Sequence, residues 1–270
     1  MADRFSMQGK VAVVTGALGL LGQKHVEALA EAGASVVLTD ADERVIQVAG
    51  DLGKRTGAPH FGWPANVCNA EDLEHLLREV LGRFDRLDVL VNNAAVNDRV
   101  EGRGRAGAVP FEELPVSDWQ RLIDVNVTGV FLCCQILGAE MARRGHGSII
   151  NVASTYGVVA PDQSLYRDDT GRQTMFKSAA YATSKGAVIA FTRYLAAYWG
   201  SRGVRVNALS PGGVENGQDA GFVARYAKRT PLGRMANAGD YQGALVFLAS
   251  DAATYLTGAN LVVDGGFTIW

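Results

Sequence analysis

The sequence predicts an α/β fold in which one doubly wound parallel sheet of about seven strands lies between two layers of helices. Three observations support this. Short β-branched runs alternate with longer amphipathic runs, the candidate strands are apolar on both faces, and a glycine-rich turn follows the first strand. Ligands of such sheets bind beyond the carboxyl ends of the strands, so the segments after each strand are expected to carry the chemistry.

The elements follow one another without an internal repeat or a linker-like tract, which favours a single domain over residues 1–270. The run KVAVVT is apolar and β-branched, as a buried strand requires, and the amphipathic helix after it ends before Gly33. By the same criteria, the strands are expected at 10–15, 35–39, 60–65, 87–91, 147–152, 204–209 and 260–263. The helices are expected at 21–32, 43–54, 71–84, 118–143, 179–199 and near 240–249.

Composition excludes several classes of function. Hydrophobic residues make up 48% and charged residues 20% of the 270, as in ordinary globular proteins. The 26 Lys and Arg against 28 Asp and Glu leave a charge of −2, which argues against nucleic-acid binding. No apolar run reaches about 18 residues, so no membrane span is expected. Cys68, Cys133 and Cys134 suit neither a disulfide framework nor zinc, which indicates a reducing, cytoplasmic compartment.

The turn after the first strand contains Gly16, Gly19 and Gly22, which let the backbone approach a pyrophosphate at the start of a helix. Three glycines alone also fit an ordinary tight turn. However, the second strand runs into Asp40, whose carboxylate can accept hydrogen bonds from both ribose hydroxyls and repels a 2′-phosphate. The nearby Arg44 could soften that preference. The pattern favours NAD over NADP.

Tyr181 and Lys185 lie four positions apart, on one face of the predicted helix 179–199. An ammonium about 4 Å from a phenol, at an effective dielectric of about 20, contributes on the order of 4 kcal/mol, or roughly three pKa units. Lys185 would therefore bring the pKa of Tyr181 close to neutrality. Taken alone, the same spacing also describes many exposed helical pairs.

The motifs above belong to a longer series along the chain. In chain order, the residues of the series are Thr15, Gly16, Gly19, Gly22, Asp40, Asn92, Asn93, Ala94, Asn126, Ser154, Tyr181, Lys185, Pro211, Gly212, Tyr255, Gly258 and 263–266. From about Lys10 to Gly266, this series resembles the short-chain dehydrogenases/reductases. The similarity implies a Rossmann-type, NAD(P)-dependent oxidoreductase.

The resemblance implies a catalytic tetrad. Tyr181 would be the general base in oxidation and the general acid in reduction, while Lys185 lowers its pKa and holds the nicotinamide ribose. Ser154 would hold the substrate oxygen, and Asn126 would position a water that links Lys185 to solvent. The expected cofactor-binding residues are Gly16, Gly19, Leu21, Gly22, Asp40, Asn66, Val67, Asn93, Ala94, Tyr181, Lys185, Pro211 and Val214. No metal is expected, because His25, His60, His75 and His146 are scattered.

The sequence departs from the family pattern at four places, none of which removes a catalytic group. The middle glycine is Gly19, whereas it usually stands at the position of Leu20; this spacing resembles the sugar-nucleotide epimerases. Asn66 replaces the usual aspartate and Ala95 the usual final glycine of its motif. Asn216 stands where a threonine usually contacts the pyrophosphate, which puts that contact in doubt.

Two segments are long for the family and should border the substrate pocket, namely 96–114 and 156–178. Their charges fit ordinary solvated loops. Alternatively, some of them bind a polar or anionic polyol such as a sugar or sugar acid, because guanidinium pairs well with carboxylate, phosphate or sulfonate. The second segment resembles that of relatives that modify sugars. The candidate residues are Arg99, Arg103, Arg105, Asp162, Gln163, Arg167, Asp168, Asp169, Arg172 and Lys177.

The function predicted is NAD-dependent interconversion of a secondary alcohol and a ketone on a polar small molecule, a sugar or sugar-acid derivative. Alternatives are reduction of a less polar ketone or 3-oxoacyl group, epimerisation or dehydration with retained NAD, and non-catalytic cofactor sensing. The apolar stretches Phe247-Leu248 and Phe267–Trp270 resemble ends that pack on neighbouring subunits in this family, which predicts a homotetramer.

Overall fold

A computed structural model describes residues 3–97 and 109–270. Seven parallel strands form one sheet in the order β3-β2-β1-β4-β5-β6-β7, so the chain reverses its winding direction between β1 and β4. The expected doubly wound fold is confirmed. The strands are β1 (Val11–Thr15), β2 (Ser35–Asp40), β3 (Phe61–Pro64), β4 (Val89–Asn92), β5 (Gly147–Val152), β6 (Val204–Pro211) and β7 (Asn260–Val263).

Seven helices of five or more residues connect these strands in the described part of the chain. They are α1 (Leu20–Glu31), α2 (Arg44–Thr56), α3 (Ala70–Phe84), α4 (Val116–Arg144), α5 (Ala179–Trp199), α6 (Ala220–Lys228) and α7 (Gln242–Ala249). Helix α6 was not expected, because its apolar stripe is short. The helix expected near 240–249 begins with a separate 3₁₀ turn, Ala238–Tyr241.

Successive side chains of each strand point to opposite faces of the sheet, so that two cores form, one on each face. Val11 and Val13 of β1 pack with residues of α3, α4 and α5, whereas Ala12 and Val14 pack with residues of α1, α2 and α7. Both faces are thus covered by helices, which is why the strands are apolar throughout. A third, smaller core lies at the carboxyl edge of the sheet and consists of Leu165, Tyr166, Phe222, Tyr226, Met235 and Phe267.

Helix α4 is long and apolar enough to cross a membrane by length and composition alone. Scattered polar residues interrupt the apolar runs of this helix, but its mean hydropathy is still high. In the fold, 44% of its most apolar 18-residue stretch is buried. Val130, Leu137 and Met141 pack in the core that contains Val11 and Val13. The helix therefore has a packing partner within the chain.

Candidate active site

Thr15 joins the ends of β1 and β4 at the point where the sheet reverses its winding. Its hydroxyl oxygen accepts hydrogen bonds of 3.0 Å from the backbone N–H groups of Asn93 and Ala94. The Asn93 side chain in turn donates to the carbonyl oxygens of Thr15 and Gly16, both at 3.0 Å. The two loops that border the crevice thus share one hydrogen-bonded unit.

The glycine turn is shaped by close backbone contacts. Gly16 has a φ of +62°, and a Cβ there would lie 2.7 Å from the Cα of Ala94. A Cβ on Gly22 would lie 2.0 Å from the carbonyl oxygen of Gly16, so α1 can pack on the turn only with glycine at this position. Gly19 is less constrained: its Cβ would meet one atom, the carbonyl oxygen of Gly16, at 3.3 Å, a tight contact that a small shift could relieve.

The N-terminus of α1 can receive an anion. Gly19 precedes the helix without a side-chain cap, and the first turn holds no acidic residue. The unpaired N–H groups and the helix dipole therefore favour a negative group such as a pyrophosphate. Leu20, at the position of the usual family glycine, is exposed and lines the adjoining cavity.

Asp40 stands at the end of β2 beside this turn. One of its carboxylate oxygens accepts a hydrogen bond of 3.1 Å from the backbone of Leu18, which fixes the carboxylate close to the glycine turn. Arg44 is turned toward Asp42, with an ion pair of 2.7 Å, and its side chain is 75% exposed. The side chain of Asn66 forms a turn by accepting from the backbone of Cys68, and Val67 packs against Gly129.

Ser154, Tyr181 and Lys185 line one cavity of about 330 Å³ at the carboxyl edge of the sheet. The Tyr181 and Lys185 side chains project from the first two turns of α5, whose N-terminus is capped by Ser178. Ser154 follows β5 and is 7% exposed; its hydroxyl oxygen accepts from the backbone of Tyr156 at 3.2 Å. The same cavity is lined by the predicted cofactor residues Leu21, Asn93, Pro211 and Val214.

The Lys185 amine is buried and donates a hydrogen bond of 2.8 Å to the carbonyl of Val152. Burial lowers the pKa of Lys185 to about 8. Its nitrogen lies 5.8 Å from the centroid of the Tyr181 ring.

Asn126 is fully buried in a π-helical turn of α4, Asp124–Thr128. Its side chain exchanges two hydrogen bonds with the backbone of Val96, at 2.8 and 3.0 Å, and donates to the Ser184 hydroxyl at 3.1 Å. π-Turns of this kind are frequent at functional sites. Asn126 thus joins α4, the chain after β4 and the residue next to Lys185.

The outer wall of the cavity includes four aromatic residues that were not singled out in the sequence. They are Tyr156, Tyr166, Phe222 and Tyr226, which belong to segments far apart in the chain. The segment 156–178 borders the cavity through Tyr156, Tyr166 and Lys177. Asn97 also lines the cavity, whereas Arg99, Arg103 and Arg105 lie outside the described residues.

Most charges of the second segment face away from the cavity. Arg167 and Arg172 are exposed, Asp162 pairs with Arg229, and Asp169 pairs with Arg225 at 3.3 Å. Lys177 is the exception, since it is buried and lines the cavity. Within residues 3–97 and 109–270, no group of three or more His, Cys, Asp or Glu residues could hold a metal ion.

A doubly wound sheet whose helix N-terminus at the switch point has no side-chain cap lies beside a Tyr-Lys pair with a buried lysine. This combination defines an NAD(P)-dependent oxidoreductase. Residues 16–268 match the family model described as enoyl-(acyl carrier protein) reductase. The chain therefore belongs to the short-chain dehydrogenase/reductase family.

Several of the similar proteins are named as dehydrogenases of polyols or sugar acids. A D-threitol dehydrogenase of Mycolicibacterium smegmatis is 39% identical, over 98% of this chain and 95% of that protein. An NAD-dependent glycerol dehydrogenase of Listeria innocua is 35% identical, over 98% and 96%. The crystal structure of a gluconate 5-dehydrogenase from Burkholderia cenocepacia, in complex with NADP and tartrate, is 33% identical, with a TM-score of 0.86 over 99% and 98%.

Proposed function

We propose that this protein uses NAD to interconvert a secondary alcohol and a ketone on a polyhydroxylated small molecule, a sugar or sugar acid. The observation that carries the proposal is the composition of the cavity around Tyr181 and Ser154. Asn97, Lys177 and Gln218 line it beside the catalytic hydroxyls and can hydrogen-bond several substrate oxygens. Relatives that are named for threitol, glycerol and gluconate support the same substrate class.

Tyr181 is the proposed proton carrier. In oxidation its phenolate oxygen takes the proton of the substrate hydroxyl, while a hydride leaves the carbon that carries this hydroxyl. In reduction the phenol returns a proton to the carbonyl oxygen. The Ser154 hydroxyl donates to the substrate oxygen and keeps it beside Tyr181. When bound, the nicotinamide supplies the hydride chemistry. The overall change converts alcohol and NAD⁺ to ketone, NADH and one proton.

Lys185 and Asn126 support this proton transfer. The Lys185 ammonium stabilises the phenolate and is placed to hold the nicotinamide ribose. Asn126 holds the chain after β4 and the start of α5 together, and we assign it the water that would link Lys185 to solvent. The pyrophosphate and the adenosine would be held by Gly16, Gly19, Leu21, Gly22, Asp40, Asn66, Val67, Asn93, Ala94, Pro211 and Val214.

NAD is the proposed cofactor because of the charges around Asp40. Its carboxylate is fixed next to the glycine turn, where it can accept from the ribose hydroxyls and repel a 2′-phosphate. Arg44, the cation that could accept a 2′-phosphate, is paired with Asp42. The NAD-dependent glycerol dehydrogenase among the relatives supports NAD, whereas the gluconate 5-dehydrogenase structure contains NADP.

The test is an NADH-absorbance screen of polyols, aldonic acids, acyl ketones and steroids, with NAD and with NADP. We expect turnover with polyols or aldonic acids and NAD. Tyr181→Phe should keep NADH binding while kcat falls by about 10²–10⁴-fold, as the loss of one proton-transfer group predicts. Activity confined to hydrophobic ketones would refute the substrate class, and unchanged turnover of Tyr181→Phe would refute the mechanism.

We further propose a cytoplasmic homotetramer. Tyr194 and Tyr198 on α5 are exposed and stacked at 5.9 Å between ring centroids, and the terminal residues Ile269 and Trp270 are each 73% exposed. Apolar groups of this size at the surface fit subunit contacts. Sedimentation at micromolar concentration should give four chains per particle; a monomer would contradict the proposal.

A further inference from the structure

Lys177 is a buried cation that contacts the ring of Tyr181. Its side chain lies at the wall of the cavity and is 6% exposed. The ammonium contacts the side-chain oxygen of Asn97 and lies 4.2 Å from the centroid of the Tyr181 ring, over its face. Lys185, at 5.8 Å, is farther from that ring. Tyr181 therefore has two neighbouring cations.

The segment 156–178 is built to hold Lys177 in this place. The Gln163 side chain donates to the carbonyl oxygen of Lys177 and accepts from its N–H, both at 2.9 Å. The Gln173 side chain donates to the carbonyls of Gln163 and Met175 at 2.8 and 2.7 Å. Two glutamine amides thus fix the backbone at the point where Lys177 leaves the segment.

The charges of the described residues that line the cavity beside Tyr181 favour a negative charge on its oxygen. Among the described residues that line the cavity, Lys177 and Lys185 are the cations and none is an aspartate or glutamate. The other ionisable groups there are the phenols of Tyr156, Tyr166 and Tyr226, and burial raises the pKa of each above the usual value. These phenols stay neutral where Tyr181 is required to ionise.

We propose that Lys177 is a positioning residue for proton transfer, a second cation that stabilises the deprotonated form of Tyr181 from the face of its ring. A cation over an aromatic face is attracted by the ring quadrupole, and the attraction grows when the phenol loses its proton, because the negative charge spreads into the ring. The inference rests on the proposed role of Tyr181. It means that the segment beside the substrate also sets the acidity of the proton carrier.

A different role for Lys177 would be to bind a carboxylate of the substrate. The two roles predict different measurements. A cation that acts through Tyr181 changes the ionisation of Tyr181 with no substrate present and shifts the pH profile for every substrate. A cation that binds the substrate changes KM for acidic substrates and leaves the ionisation of Tyr181 as it was.

The experiment is a spectroscopic titration of the protein without substrate. Phenolate absorbance is recorded against pH for each protein and for its Tyr181→Phe counterpart, and the difference isolates Tyr181. The variants are Lys177→Met, Lys177→Gln as a second neutral replacement, Lys177→Arg, and Gln163→Met. Lys228→Met is the matched control, since Lys228 is exposed on α6. Thermal unfolding of each variant verifies folding.

We expect the pKa of Tyr181 to rise by roughly one unit or more in Lys177→Met and Lys177→Gln, since a neighbouring charge in a partly desolvated site has an effect of this size. In Lys177→Arg the pKa of Tyr181 should stay close to the wild-type value, because the cation is kept. Gln163→Met should cause part of the rise seen in Lys177→Met, and Lys228→Met should cause none. The pH profile of kcat/KM should move by the same amount with D-threitol and with gluconate.

An unchanged titration in Lys177→Met overturns the inference. If KM for gluconate then rises about tenfold while KM for D-threitol stays, Lys177 binds the substrate; if neither KM changes, its role is structural. The titration needs no turnover. If no polyol or sugar acid is oxidised, the proposed function fails, and the effect of Lys177 on Tyr181 is still measured.

Discussion

The Lys185 ammonium donates a hydrogen bond of 2.8 Å to the backbone carbonyl of Val152, and this contact joins α5 to the end of β5. Val152 lies two residues before Ser154, so one bond fixes the relative positions of the amine and of the serine that would hold the substrate oxygen. The amine that makes this contact is buried. Functional sites commonly keep buried charged groups at the expense of stability.

Lys185→Met should make the protein more stable and inactive. Burial lowers the pKa of Lys185 from 10.5 to about 8, so at pH 7 the folded state carries a desolvated charge that the variant removes. After allowance for the lost hydrogen bond to Val152, we expect a gain of about 2 kcal/mol in the free energy of unfolding.

The size of this stabilisation changes with pH in a defined way. Below pH 8 both folded and unfolded states are protonated, and the desolvation cost is fully present. Between pH 8 and 10.5 the folded state loses its proton first, so the cost disappears as pH rises. Urea unfolding at pH 7 and pH 10 measures the difference in the free energy of unfolding between Lys185→Met and the wild type. This difference should be smaller at pH 10, and a variant less stable than the wild type at pH 7 would contradict the prediction.

Asp40→Ala should relax the preference for NAD. Removing the carboxylate removes the repulsion of a 2′-phosphate and frees the backbone of Leu18, so the ratio of kcat/KM for NADP to that for NAD should rise by roughly tenfold or more. Asp51→Ala, which removes an exposed carboxylate on α2, is the matched control. An unchanged ratio in Asp40→Ala would mean that another residue determines the preference between NAD and NADP.

Gly22→Ala should abolish cofactor binding. The added methyl group would lie 2.0 Å from the carbonyl oxygen of Gly16, so α1 must move away from the turn that is to receive the pyrophosphate. Gly50→Ala, in the middle of α2 with no atom within 4 Å of the added methyl, should be stabilising by about 0.5–1 kcal/mol. NADH fluorescence titration measures the cofactor affinity of both variants, and urea unfolding measures their stability. Normal NADH affinity in Gly22→Ala would refute the assignment of this turn.

His25 should make the protein sensitive to mild acid. It is fully buried in α1, neither ring nitrogen has a partner among the described residues, and burial lowers its pKa from 6.5 to about 4. Between pH 6.5 and 4 the unfolded state binds a proton that the folded state does not, so stability falls as pH falls. From pH 7 to pH 5 the loss is about 2 kcal/mol.

His25→Leu removes this contribution while it keeps an apolar side chain in the core. Urea unfolding at pH 7 and pH 5 should therefore show a smaller acid loss in the variant than in the wild type. His60, whose pKa burial also lowers, remains in both proteins and cancels in the comparison. Equal acid losses would show that His25 is not the sensitive group.

Local pattern predicted the strands well because most of them lie in short runs rich in β-branched and other apolar residues. Every expected strand is present, with bounds that differ by at most two residues, and the carboxyl-edge rule placed Ser154 and Tyr181 at one cavity. Helix α6 was missed because its burial depends on Leu165 and Tyr166, more than 50 residues earlier in the chain. The π-turn at Asn126 was missed because its cause is a tertiary contact with Val96.

By itself the sequence determined the parallel sheet, the glycine turn and the spacing that puts Tyr181 and Lys185 on one helical face. These depend on interactions between residues close in the chain, or on the alternation that a strand repeats. Only the tertiary structure decided which charge of the segment 156–178 reaches the site. Lys177 and Arg172 look alike in the sequence, and the packing of Gln163 against the Lys177 backbone buries the first, while the second is left in solvent.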